Sequence, residues 1–247
     1  MIEIFRALVG SQNYGLDTPE SDKDYYIYCS PSFEELYNNT GLIKEVKYDN
    51  GIYFYKDIRS LSGLIKKASF NQLEIMYSVE TYPEFYNMEF YVAQLFHWLQ
   101  TRRNEIAVAN LPRLYQSTLG EINRRISDIE KDKYTAGTKY LFNKHGYDTK
   151  IAMHAIRLAH LLKYIIDKQR LSDVLFCSDV EKKTLLDIKN GLLTKGSILW
   201  FLNKGRSQVE SFSKWFQSQP VNTELLKELE QSIFKVVEEL ACEDSDI

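Results

Sequence analysis

The sequence predicts an α+β fold, with a small sheet and its helices in residues 1–83 followed by a larger helical region in residues 84–247. Three observations carry that reading. Short β-prone runs crowd the first sixty residues. The apolar period then lengthens from that of a strand to that of a helix after Asp57. From about residue 84 onward nearly every segment keeps the helical period.

Residues 2–9 and 25–29 are apolar or aromatic runs separated by turn residues, which predicts two strands. "IKEVKYDNGIYFYKDI", residues 43–58, is two β-prone runs around Asp49-Asn50-Gly51. Asn-Gly supplies the positive φ values of a tight turn, so a hairpin is expected there. Leu61, Leu64 and Ile65 recur at helical spacing behind Asp57, a good N-cap residue. "FNQLEIMYSVE" continues as a second short helix. Helices are then expected at 85–102, 105–131, 147–168, 179–191, 205–217 and 222–241, with Pro83, Pro112 and Pro220 punctuating them. There is no internal repeat and no flexible linker, so the two parts are expected to pack together.

The 247 residues suffice for a sizeable core, and 44% hydrophobic with 26% charged residues is the composition of an ordinary globular protein. A net charge of −3 excludes a global basic field, though not a local basic face. Cys29, Cys177 and Cys242 are odd in number and widely spaced. They form neither a disulfide framework nor a zinc pattern, and fit a reducing cytoplasm. The opening "MIEIFRALVG" is too short for a signal h-region, and no segment reaches the length of a membrane span.

Chemistry concentrates in "GSQNYGLDTPESDKD", residues 10–24. Alternate residues of a strand share a face, so Asp22 and Asp24 are expected side by side. Two adjacent carboxylates repel unless a cation lies between them, and hard oxygen pairs suit Mg²⁺. Gly10 allows backbone to approach a ligand, and Ser11 adds a hydroxyl beside amides that favour phosphate. The plainer alternative is an acidic loop and an ordinary turn; each motif alone is common.

This stretch resembles the Gly-Ser…Asp-x-Asp signature of the DNA polymerase β-type nucleotidyltransferase superfamily. The inserted "YGL" and the "SD" before the second acid are similar to the RNA-ligase-associated (RlaP-type) family. "HGYDTKIAMHAIRLAHLL", residues 145–162, resembles that family's second, helical motif. The resemblance implies a small nucleotidyltransferase-type mixed sheet completed by a helical region. It implies that Gly10 and Ser11 hold nucleotide phosphates and that Asp22 and Asp24 are catalytic and bind Mg²⁺ or Mn²⁺. It also singles out Lys150, His154 and Arg157, which fall within an arc of roughly 60° on one helix. Ile151, Ala155, Ile156, Leu158, Leu162 and Ile165 occupy the opposite, core side. The three polar residues are either solvated or nucleotide-binding.

The implied activity is metal-dependent transfer of a nucleoside monophosphate from a nucleoside triphosphate, with ATP the expected donor and an RNA end the suggested acceptor. A nucleotide-binding regulatory pseudoenzyme and an enzyme that transfers AMP to protein are the alternatives. Two departures bear on the choice. The position matching the superfamily's third carboxylate is Ile52; Asp57 is the nearest substitute but is equally a helix cap, and Asp49 lies in the turn. "SFNQLE" keeps Glu74 of the family's second-helix pattern but lacks its Asn-Pro. His97 and His145 are isolated. Trp98, Trp200 and Trp215 are expected in the core, and Lys66-Lys67, Arg102-Arg103 and Arg124-Arg125 on solvated faces. The sequence does not specify the oligomeric state.

Overall fold

The computed structural model describes residues 2–18, 21–41, 43–78, 80–82, 90–168 and 178–245. Its contacts divide the chain into two units, Met1–Asn110 with Val221–Ile247 and Leu111–Pro220. The division falls there and not at residue 83, because the last helix returns to the sheet-bearing unit.

The first unit is built on a five-stranded sheet ordered β3-β4-β2-β1-β5. Its strands are β1 (Ile2–Val9), β2 (Asp24–Ser30), β3 (Ile43–Tyr48), β4 (Gly51–Asp57) and β5 (Thr81–Tyr82). β1 runs antiparallel to β2 and β5, β3 antiparallel to β4, and β2 parallel to β4, so the sheet is mixed. The helices are α1 (Phe33–Tyr37), α2 (Arg59–Lys66), α3 (Phe70–Leu73), α4 (Phe90–Val108) and, after the second unit, α11 (Thr223–Ser245). α1 was not expected, yet its signal was present. Ser32 and Glu35 form a reciprocal capping box, with the Ser32 N–H donating to Glu35 Oε2 at 2.8 Å.

Register assigns the side chains to two faces. Phe5, Ala7 and Val9 share a face with Tyr28, Tyr26 and Asp24 and with Phe54 and Lys56. On it Phe5 stacks on Tyr28 with ring centroids 5.1 Å apart, and the Tyr28 hydroxyl donates to Gln72 Oε1 at 2.8 Å. The other face holds Leu8, Tyr25, Ile27 and Cys29, with Tyr53 and Tyr55 packed against them. Burial, and then the Glu3 charge, push the Cys29 thiol up to about 12, so it is an inert core group.

The expected hairpin forms, for a different reason. The loop residues are Asp49 and Asn50, and neither has positive φ. Gly51 is the first strand residue. A Cβ there would lie 1.8 Å from the Lys23 carbonyl oxygen, so glycine is required by a close backbone approach. The Lys23 N–H donates to the Asn50 carbonyl at 2.8 Å across the same contact.

The second unit is helical: α5 (Leu111–Glu130), α6 (Lys139–His145), α7 (Thr149–Lys168), α8 (Asp179–Lys189), α9 (Lys195–Ser211) and α10 (Ser213–Gln217). α7 packs against α5, α8 and α9. Its apolar side is as expected: Ala155, Ile156, Leu158, Leu162 and Ile165 are buried and Ile151 half-buried. The Tyr147 hydroxyl donates to the Leu193 carbonyl at 2.8 Å, and a Cβ on Gly205 would sit 3.3 Å from Ala159 Cβ. Both pairs have the same sequence offset, so α7 and α9 run parallel. Thr149 donates to the Lys189 carbonyl, and His160 Nδ1 lies 3.8 Å from Glu181 Oε1, so α8 runs antiparallel to α7.

Several helix bounds differ from expectation. The break expected near residue 103 falls at Ala109-Asn110, while Asn104 stays within α4 and accepts from the Tyr77 hydroxyl at 2.9 Å. α9 begins ten residues early, because Thr194 caps it by accepting from the Ser197 N–H. α6 was missed. The expected start of α4 at residue 85 and the thiol of Cys177 lie outside the described residues. Among the tryptophans, Trp98 and Trp215 are half-buried and Trp200 is 57% exposed, so the expectation of a core role fails for Trp200. The basic clusters are ion-paired: Lys66 with Glu230, Arg102 with Glu105 and Glu228, Arg124 and Arg125 with Glu121. No helix among the described residues is long and apolar enough to cross a membrane.

Candidate active site

β1 ends where β2 begins, because Val9 pairs with Asp24. The Gly-Ser turn therefore lies at the same sheet end as the acids. Gly10 has φ 77°, in the left-handed region, and starts a 3-10 turn, Gly10–Tyr14, that closes on Gly15 with φ 63°. The Leu16 N–H donates to the Ser11 carbonyl at 2.9 Å, and Gln12 Nε2 donates to the Ser21 carbonyl at 3.2 Å. These bonds tie the turn to the loop that carries Asp22. A Cβ on Gly10 would lie 4.0 Å from Asp24 Oδ2, so the carboxylate faces the turn.

The other Asp24 oxygen, Oδ1, accepts from the Ile52 N–H at 2.9 Å. Ile52 precedes Tyr53, whose partner across the parallel ladder is Tyr25, so position 52 stands beside position 24. The position matched to a third acid is thus next to Asp24, but it offers an amide and an aliphatic side chain. Asp57 sits at the far end of β4, buried. Its Oδ1 accepts from the Arg59 N–H at 2.8 Å and its Oδ2 from the Arg59 guanidinium at 2.6 Å. The N-cap position of α2 is Ile58, so Asp57 stands one residue before the expected cap and holds the helix start through the Arg59 N–H and an ion pair.

Asp22 departs from expectation in one respect. The strand starts at Asp24, so Asp22 lies in the preceding loop, exposed, and the strand alternation that was to align the two acids does not reach it. Lys23 is held elsewhere: its Nζ donates to Glu80 Oε1 at 3.3 Å. Tyr25, on the face away from Asp24, donates to Glu80 Oε2 at 2.6 Å. The Tyr25 hydrogen bond, followed by Lys23, holds Glu80 below the usual carboxylate range. The lysine between the acids is therefore paired with another carboxylate, Glu80.

Two groups near Asp24, Tyr26 and Lys56, escaped the sequence reading, and a third, Glu74, was named without its partner. Tyr26, two residues on and on the same face, has its phenol raised by burial, then by the Glu74 and Asp24 charges. Lys56 Nζ lies 3.6 Å above the Tyr26 ring, and burial lowers its pKa. Glu74, only 3% exposed, accepts a hydrogen bond from the Tyr14 hydroxyl. Tyr14 lies within residues 10–24 and Glu74 within "SFNQLE", so their pairing joins two stretches sixty residues apart. Sequence spacing carried no signal for it. Among the described residues, no three His, Cys, Asp or Glu side chains form a metal-binding group.

Lys150, His154 and Arg157 belong to the helical unit. Lys150 is exposed, His154 half-buried and Arg157 only 5% exposed. Burial, then the charges of Arg125, Arg157, Lys150 and Lys189, push the His154 imidazole down to about 3, so it is neutral at physiological pH. The stripe thus runs inward from solvent, and only Lys150 presents a charge outside.

No family model matches this chain, and neither does any curated protein compared with it.

Proposed function

We propose that the chain is a metal-dependent nucleotidyltransferase, moving a nucleoside monophosphate from ATP to an acceptor, with an RNA end as the acceptor class. The observation that carries the reading is the placement of Asp24 Oδ2 against the left-handed Gly10 turn, with Asp22 exposed two residues away. The donor set fits a hard cation: two carboxylates whose intervening lysine is occupied by Glu80. Asp22 and Asp24 would hold Mg²⁺, which when bound neutralises triphosphate charge and polarises the reacting phosphoryl group. Gly10 and Ser11 would steady the distal phosphates, since the turn has no side chain at position 10 to exclude them. The Ile52 amide fixes the Asp24 carboxylate in orientation.

A second reading, nucleotide binding without turnover, is favoured by one observation. The strand position beside Asp24 is Ile52, so that position supplies no acid to activate an acceptor oxygen.

Titration with ATP in the presence and absence of Mg²⁺ tests the site. Asp22→Asn and Asp24→Asn are each expected to weaken Mg²⁺-dependent binding at least tenfold without lowering the melting temperature. Binding unchanged in both variants refutes the metal assignment. Incubation with α-labelled ATP and RNA then separates the readings: label carried onto RNA supports transfer, and binding without incorporation supports the regulatory protein.

A further inference from the structure

The helical unit contains a cavity of 420 Å³ between α7, α8 and α9, within the size range of small-molecule sites. Its walls are mainly aliphatic, with Ile156, Ile188, Leu202 and Val209 buried around it and Leu193 half-buried. Ala159 and Gly205 also line it, where α7 and α9 come so close that a Cβ on Gly205 would sit 3.3 Å from Ala159 Cβ. Phe201, half exposed, stands at the opening.

The polar groups are unevenly placed. α7 and α9 run parallel and α8 antiparallel, which puts Lys163 and Gln208 at one end of the cavity and Asp187 toward the other, beside Leu193. Lys163 and Lys204 are both exposed, and among the described residues neither ammonium is in an ion pair. Lys204 Nζ lies 4.9 Å above the Trp200 ring. Two exposed lysines therefore line an apolar chamber whose one lining carboxylate among the described residues, Asp187, is displaced from Lys163. An apolar body with one anionic end complements that arrangement: the chamber takes the hydrocarbon, and the lysines take the charge.

We infer that this cavity binds a hydrophobic carboxylic acid, its carboxylate at Lys163 and Lys204 and its apolar portion between α7, α8 and α9. The site lies wholly within the helical unit and does not depend on the nucleotidyltransferase reading.

Calorimetric titration of the full chain with decanoate, below its micelle concentration, tests the inference, with decylamine and decanol as controls. Decanoate is expected to bind saturably at one site and more tightly than either control. Lys163→Glu and Lys204→Glu, both at exposed positions, are each expected to weaken it at least tenfold, and Thr184→Phe to occlude the opening. Thermal melts confirm that each variant is folded. Absence of saturable decanoate binding, equal binding of decylamine or decanol, or unchanged affinity in both charge-reversal variants would overturn the assignment.

Discussion

The acidic pair and the basic stripe are both short polar patterns in otherwise apolar surroundings, but they meet solvent differently. Asp22 and Asp24 lie where a strand starts, in a loop and at a sheet end, and their neighbours leave carboxylate oxygens toward the Gly10 turn. Lys150, His154 and Arg157 lie along a helix packed by others, and the stripe passes from exposed at Lys150 through half-buried at His154 to buried at Arg157. The difference is one of element geometry. A strand end presents its side chains to an opening, while a central helix has partners around most of its circumference, so a polar arc there is as readily an interior network as a ligand surface.

Stability measurements break the comparison most directly. Arg157→Ala removes a buried guanidinium and its packed stem, and is expected to cost about 2–4 kcal/mol. Asp22→Asn alters an exposed loop and is expected to stay within about 0.5 kcal/mol. Denaturant titration reads both. An Arg157→Ala midpoint equal to wild type would show that the arginine contributes little to the fold and restore it as a ligand candidate.

The hairpin sharpens the acidic side of the comparison. Gly51→Ala forces a Cβ to within 1.8 Å of the Lys23 carbonyl unless the backbone shifts, at an expected cost of about 2–3 kcal/mol. Because Lys23 lies between the two acids, the same variant is expected to weaken Mg²⁺-dependent ATP binding beyond what its stability loss explains. Unaltered binding in the folded fraction would show that the acids do not depend on the hairpin for their placement.

The last effect is electrostatic and appears only in acid. His154 is neutral when folded, with its pKa lowered from 6.5 to about 3, so the unfolded chain binds one more proton between those values. Its contribution is complete above pH 6.5 and is lost as pH falls toward 3, by at most about 1.4 kcal/mol per pH unit. His154→Gln should flatten the acid side of the stability curve by up to that slope. An identical pH dependence in the variant would mean that His154 is not held neutral by its surroundings.

How much was legible follows the same division between local and non-local causes. Strands β1 and β2, the hairpin and α7 were read from period and turn chemistry, which act over a few residues. The capping box of α1 was equally local and was overlooked. The Tyr14–Glu74 bond and the return of α11 to the sheet-bearing unit were not legible, since each depends on contacts between distant stretches. The nearness of Gly10 to Asp24 was legible because the strand pairing that joins them is itself short-range. Lys56 was missed because its approach to Tyr26 needs the parallel β2–β4 register, which only the intervening crossover determines.

The bond from the Ile52 amide to Asp24 is made by main chain, so its persistence is independent of the residue encoded at position 52. Every residue except proline carries the same donor. Genetic drift at this codon can therefore exchange one side chain for another and leave the carboxylate tethered throughout. An acid or an aliphatic residue at this position would thus leave the same sheet-end architecture. Loss of chemistry and loss of framework are separable there, and the framework can outlast the chemistry.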